Sequence, residues 1–238
     1  MILKELTKGL IELILPNNCL LCEKKINSGK FICEQCQNFE RNLPPFCRKC
    51  GISISVDSKT RLCSRCRGKN FYFTRNLSLF LYKEPLASLI HLFKYQGFDF
   101  LADIFSQRLI EFIEELPIPV KNYNLLTSVP LHRRKLRERE FNHSRLIAKK
   151  LSKYFLIPYK DTLRAKRYLK SQVNKSVESR TLDIRDNFYI IEEVKEKNII
   201  LIDDVFTTGA TLSECAKALK NKGAKEILTI TLAIRKLN

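Results

Sequence analysis

Ile200-Leu201-Ile202-Asp203-Asp204-Val205-Phe206-Thr207-Thr208-Gly209-Ala210-Thr211 is the most informative stretch of this chain. The apolar run Asn198–Ile202 reads as a strand buried on both faces, as in a parallel sheet. In such sheets ligands bind beyond the carboxyl ends of the strands. The vicinal acids Asp203 and Asp204 stand at that end, where they can accept hydrogen bonds from two neighbouring sugar hydroxyls. Thr207, Thr208, Gly209, Ala210 and Thr211 then open directly into a helix. That turn offers backbone N–H groups, a favourable helix dipole and three hydroxyls to a phosphate. Gly209 permits the close backbone approach. One loop therefore suits a pentose and its 5′-phosphate together. It lacks the GK[ST] element of a Walker loop, which argues against an ATPase.

The surrounding pattern extends this reading. Thr211–Lys222 is helical and closes at Gly223, and Glu226–Ala233 is a further apolar strand. Upstream, Asn76–Tyr82 alternates like a strand. Glu84–Tyr95 and Phe100–Glu115 are helices separated at Gln96-Gly97, the second ended by Pro117-Ile118-Pro119. Leu125–Val129 is a short strand and Ser144–Phe155 a helix. Residues 160–187 lack a clear period and read as a long loop with short ordered pieces. Strands apolar on both faces, alternating with helices, predict a parallel sheet flanked by helices.

Eight of the nine cysteines form four CxxC pairs: Cys19/Cys22, Cys33/Cys36, Cys47/Cys50 and Cys63/Cys66. Four thiolates close a tetrahedron, so two structural Zn²⁺ sites are expected. A disulfide framework is the rival reading and requires an oxidising compartment. Sequential grouping of the pairs is the simplest, and spacing alone leaves an interleaved grouping open. The segment is poor in apolar side chains and is expected to need its metal to fold. This divides the chain into an amphipathic helix (1–16), a double zinc ribbon (17–70) and an α/β domain (71–238). Cys215 reads as an ordinary, partly buried thiol.

The net charge is +18 and unevenly spread, with 16 basic and 4 acidic side chains in residues 132–180. Residues 1–70 add 13 basic and 6 acidic, while the remainder is near neutral. Localised excess of this kind suits a polyanion, either nucleic acid or a multiply phosphorylated small molecule. No stretch approaches the length of a transmembrane segment. Met1–Leu15 reads as a docking helix rather than an export signal. With reduced cysteines, this implies a cytoplasmic protein.

The order of apolar residues, two acids, two apolar residues and Thr-Thr-Gly-Ala-Thr resembles the phosphoribosyl pyrophosphate motif of the type I phosphoribosyltransferases. That resemblance implies the type I phosphoribosyltransferase fold, with Asp203 and Asp204 as catalytic residues. It further implies Mg²⁺ bound with phosphoribosyl pyrophosphate, and a pyrophosphate loop after Val129. Arg133, Arg134, Lys135, Arg137 and Arg139 would then serve pyrophosphate or a DNA backbone. Arg164, Lys166, Arg167, Lys170 and Arg180 fall where related enzymes carry a mobile lid. More broadly, the N-terminal CxxC ribbons, Lys94-Tyr95-Gln96-Gly97, Val129-Pro130-Leu131, Arg139-Glu140-Phe141-Asn142-His143 and the acid-pair loop together resemble the competence protein F (ComF) family. Members usually read RGFNQ where this chain has Arg139-Glu140-Phe141-Asn142-His143. The resemblance implies a part in natural transformation, with single-stranded DNA and a protein of the DNA-uptake machinery as partners. The alternative it allows is an active phosphoribosyltransferase whose acceptor base the sequence leaves unidentified.

Overall fold

The computed structural model describes residues 18–27, 30–168 and 184–236. The helix expected over Met1–Leu15, together with Lys170 and Arg180, lies outside the described residues. The elements are β1 (Arg75–Leu81), α1 (Leu86–Tyr95), α2 (Leu101–Glu115), β2 (Leu125–Ser128), α3 (Arg133–Arg139), α4 (His143–Phe155), β3 (Leu163–Ala165), β4 (Phe188–Ile190), β5 (Asn198–Phe206), α5 (Ala210–Asn221) and β6 (Glu226–Ile234).

Four strands form one all-parallel sheet in the order β1-β6-β5-β2. Side chains alternate across a strand, so Ile200 and Ile202 face one core while Ile199 and Leu201 face the other. The first core includes residues of α1, α2 and α4; the second includes Leu212, Cys215, Ala216 and Leu219 of α5. Each ribbon joins a different core: Cys19, Ile32 and Cys33 on the first, Cys47, Cys50 and Cys66 on the second. The N-terminal module thus straddles the sheet. No helix among the described residues is long and apolar enough to cross a membrane.

The module also closes the β1 edge. Asn42 N–H donates to the Leu79 carbonyl at 2.9 Å, and Leu81 N–H donates to the Glu40 carbonyl at 2.9 Å. A sheet edge left open would present unpaired backbone groups to other chains. The buried Asn42 side chain joins the pieces. Its amide donates to the carbonyls of Gly51 (2.7 Å) and Ser78 (2.9 Å), and its oxygen accepts from Ser53 N–H (2.8 Å). Gly51 has φ +75°, and an added Cβ would stand 2.4 Å from the Asn76 carbonyl oxygen.

Two sequence expectations change. Strand β5 continues past the acids to Phe206, because Val205 and Phe206 keep their register with Ala233 and Ile234 of the equally long β6. The basic run after Val129 is not simply a loop. It includes the short helix α3, whose N-terminus is capped by His132 Nδ1 accepting from Arg134 N–H at 3.2 Å. The ordered pieces of the long loop include β3, which pairs antiparallel with β4.

Asn42→Ala is expected to destabilise the chain by about 2–3 kcal/mol, because it strands buried carbonyls of both neighbours. Chemical denaturation at fixed zinc measures it.

Candidate functional site

Asp203 and Asp204 lie near the carboxyl end of β5, and charged side chains from three helices or their flanks converge on them. Lys94, in the last turn of α1, places Nζ 2.7 Å from Asp204 Oδ1, with both side chains largely shielded from water. Ser144, in the first turn of α4, donates its hydroxyl to Asp203 Oδ1 at 3.0 Å. Arg139, at the end of α3, is buried. It donates to the Tyr95 hydroxyl at 2.7 Å, with its guanidinium over the ring.

The electrostatics follow from burial and neighbours. Burial and the adjacent Asp204 push the Asp203 carboxyl up to about 7. Burial acts the same way on Asp204, but the Lys94 ammonium overrides it and holds that carboxyl low. Lys94 is in turn kept charged by Asp204 and then Asp203, against its own burial. Lys135 is pushed down by burial and by the positive charges of Arg139 and Lys94. The site therefore holds one firm carboxylate, one carboxyl that titrates near neutrality and three cations.

Beside it lies the turn to α5. Gly209, at φ +81°, is the N-cap residue. Having no side chain, it cannot occupy the first N–H groups of α5 itself. A Cβ there would stand 2.5 Å from the Phe206 ring, so no other residue fits the turn unchanged. Thr207, Thr208, Ala210 and Thr211 are partly exposed around it, and Thr208 Oγ1 accepts from Ala210 N–H at 3.3 Å. Cys215, on the buried face of α5, is held well above its usual range by burial and by Asp203.

The basic candidates separate. Lys135 and Arg139 stand within the electrostatic reach of Asp204. Arg134 pairs with Glu138 and lies 4.6 Å over the Tyr168 ring, while Arg133 and Arg137 are exposed on α3. Arg164 is exposed on β3.

Lys94 and Ser144 carried no role in the sequence reading. A signal for Lys94 was present: it follows Ile90 by four residues, so a cation sits on the buried face of α1. Glu140 takes φ +65°, in the left-handed region that favours glycine. Asn142 caps α4 by accepting from Arg145 N–H at 3.2 Å and donates to the Val129 carbonyl at 2.9 Å. His143 is buried against Phe93 and Phe141, and burial lowers it to about 4, so it is neutral at pH 7.

The cysteines group sequentially: Cys19, Cys22, Cys33 and Cys36 form one cluster, Cys47, Cys50, Cys63 and Cys66 the other. Four sulfurs about 2.3 Å from one zinc stand about 3.8 Å apart. The separations Cys22–Cys33 (3.7 Å) and Cys50–Cys63 (3.6 Å) fit that tetrahedron. Backbone N–H groups of Cys33 and Cys63 point at Cys19 and Cys47 sulfurs (3.4 Å each), which favours thiolates.

The phosphoribosyl transferase domain family matches residues 142–237, and the double zinc ribbon domain family matches residues 10–72. The chain is 27% identical over 223 residues to the DNA utilization protein YhgH of Escherichia coli (strain K12), covering 90% of this chain and 96% of that one. It is 26% identical over 227 residues to competence protein F of Haemophilus influenzae, covering 90% and 96%. Among solved structures, the purine phosphoribosyltransferase from Pyrococcus horikoshii Ot3 is 23% identical, with 56% of this chain and 72% of that chain covered at a TM-score of 0.35.

Two substitutions probe the site's internal forces. Because the folded Asp203 carboxyl is raised to about 7, its protonated form favours folding and that contribution is lost as pH rises from about 4 through 7. Asp203→Asn is therefore expected to stabilise the ligand-free chain more at pH 8 than at pH 5, by on the order of 2 kcal/mol. Paired denaturation curves at the two pH values check the sign. Glu140→Gly is expected to add about 1 kcal/mol by relieving the positive φ, read as a rise in melting temperature.

Proposed function

Because this chain is a homologue of competence protein F, with a double zinc ribbon ahead of a phosphoribosyl transferase domain, we propose that it takes part in DNA uptake and utilization through a site for phosphoribosyl pyrophosphate or a related sugar phosphate. One observation carries the ligand: an acid pair, Asp204 buried and Asp203 half-buried, ringed by Lys94, Lys135 and Arg139, stands beside the N-terminus of α5. Asp203 and Asp204 accept the ribose hydroxyls. The Thr207–Thr211 turn takes the 5′-phosphate through backbone N–H groups and hydroxyls. Lys135 and Arg139 neutralise the pyrophosphate. Asp203 is the carboxyl that Lys94 leaves free, so it suits Mg²⁺, a hard cation held by oxygen ligands. Bound with the ligand, Mg²⁺ would supply further charge neutralisation of the pyrophosphate.

The excess of cations over residues 132–180 supports a second ligand for the same protein, single-stranded DNA. Exposed Arg133 and Arg137 on α3, and Arg164 on β3, suit its phosphates. The chain acts in the cytoplasm, where the eight ribbon thiols stay reduced for zinc. It meets a protein of the uptake machinery there.

Three cations around the acid pair also favour a second reading, phosphoribosyl transfer. There the bond from C1 to pyrophosphate breaks, a bond from C1 to a ring nitrogen of a nucleobase forms, and that nitrogen loses its proton. Positioning and charge neutralisation of an oxocarbenium-like centre would supply the catalysis.

Calorimetry with phosphoribosyl pyrophosphate and Mg²⁺, on wild type and on Asp203→Ala/Asp204→Ala, tests the site. Binding by wild type alone is expected, with a short single-stranded DNA competing for it. Absence of binding by wild type refutes the sugar-phosphate reading. DNA affinity is expected to fall about tenfold or more between about 50 and about 200 mM salt, and salt-insensitive binding refutes an electrostatic DNA surface. Release of pyrophosphate dependent on one nucleobase would establish the transferase.

A further inference from the structure

The second ribbon and the phosphate turn are physically joined. Arg65 lies in the 3₁₀ turn Ser64–Cys66, between the two sulfur ligands Cys63 and Cys66. Its guanidinium donates Nη1 to the Thr207 carbonyl (2.5 Å) and Nη2 to the Arg235 carbonyl (3.4 Å). Those two carbonyls lie one residue past the ends of β5 and β6. The same group lies 5.7 Å from the centre of the Phe206 ring. Its Nε is buried without a partner, so the side chain is held by the two carbonyls and the ring rather than by a full set of bonds.

The chain leaving the ribbon continues the contact. Phe71 and Phe73 stack at 4.8 Å and meet Phe206 edge-on. A Cβ on Gly209 would collide with both Phe206 and Phe71. Tyr72 N–H donates to Ser213 Oγ in the first turn of α5 at 3.3 Å. The floor under the Thr207–Gly209 turn is therefore built from the exit of the second ribbon. The first ribbon packs in the core on the opposite face of the sheet.

We propose that Arg65 is a positioning residue for the phosphate turn, and that it makes sugar-phosphate affinity depend on the metal held by Cys47, Cys50, Cys63 and Cys66 and not on that held by the first ribbon. The mechanism is geometric. In a planar trans peptide the Thr207 carbonyl and the Thr208 N–H point in opposite directions. Drawing the carbonyl outward to Arg65 turns the Thr208 N–H toward the other side, where the 5′-phosphate is to sit. The cysteines on either side of Arg65 fix its backbone when they hold a metal. Without the metal that anchor is lost, and the turn must order itself on binding, which lowers affinity. By linkage, the ligand must strengthen metal retention at the second site by the same factor.

This rests on the sugar-phosphate reading, and the experiment separates the two. Arg65→Met keeps the apolar stem and removes the donors; Arg67→Met, an exposed neighbour, removes the same charge. Calorimetry with phosphoribosyl pyrophosphate and with ribose 5-phosphate, each with Mg²⁺, is run on wild type, on these two variants and on the conservative Arg65→Lys, after zinc content and melting temperature are matched. Arg65→Met is expected to bind both ligands at least about tenfold more weakly, Arg67→Met within about twofold, and Arg65→Lys in between. In parallel, a chromogenic chelator follows zinc release. Phosphoribosyl pyrophosphate is expected to slow one of the two zinc equivalents in wild type and neither in Arg65→Met. If wild type binds and Arg65→Met matches it, with zinc release blind to the ligand, the coupling is overturned while the sugar-phosphate site stands. If wild type binds neither ligand, the sugar-phosphate reading fails and the coupling falls with it.

Discussion

Two carboxylates placed side by side at the end of a strand, Asp204 buried and Asp203 half-buried, must be neutralised, and the architecture around β5 answers that demand. Adjacent acids in a poorly hydrated setting cannot both remain charged without nearby cations or donors. Here Lys94 takes Asp204, Ser144 binds Asp203, and Asp203 is left titrating near neutrality. Each partner comes from a different helix. The packing of α1 and α4 on one face of the sheet is thus tied to the acid pair, and the end of α3 is drawn in through Arg139 and Tyr95. An ion pair this sheltered adds little net stability, since desolvation offsets most of its attraction. Its value lies in fixing geometry.

Much of this was legible in the linear sequence, for identifiable reasons. Strands buried on both faces announce themselves as apolar runs, so β5 and β6 and the parallel sheet could be read from Ile199–Ile202 and Ile227–Leu232. The CxxC spacing anticipated two clusters of four cysteines each, and the fold settles the sequential grouping that spacing left open. The turn before α5 was legible because a glycine stands immediately ahead of a helical pattern.

What was missed depends on contacts between distant segments. Nothing local distinguishes Lys94 from a solvated lysine except its place on the apolar face of α1. Its partner is 110 residues away. The extension of β5 to Phe206 depends on the length of β6, and α3 is too short to show a period. Arg65 was invisible for the same reason, since its acceptors, Thr207 and Arg235, lie 142 and 170 residues downstream. The basic run after Val129 had looked uniform, yet folding sends Lys135 and Arg139 inward and leaves Arg133 and Arg137 outside.

The strand order bears on the birth of the molecule on the ribosome. Among the described residues β1 has a single sheet neighbour, β6, which is the last of the six described strands to be made. At about 5–20 residues per second, β1 waits on the order of ten seconds for that partner. All eight ribbon cysteines, Cys19 to Cys66, precede β1 and are synthesised before the wait begins. The segment 40–42 that covers the outer edge of β1 is also already present. Segment 40–42 can therefore pair with the outer edge of β1 before β6 exists, leaving one edge of the nascent strand open rather than two.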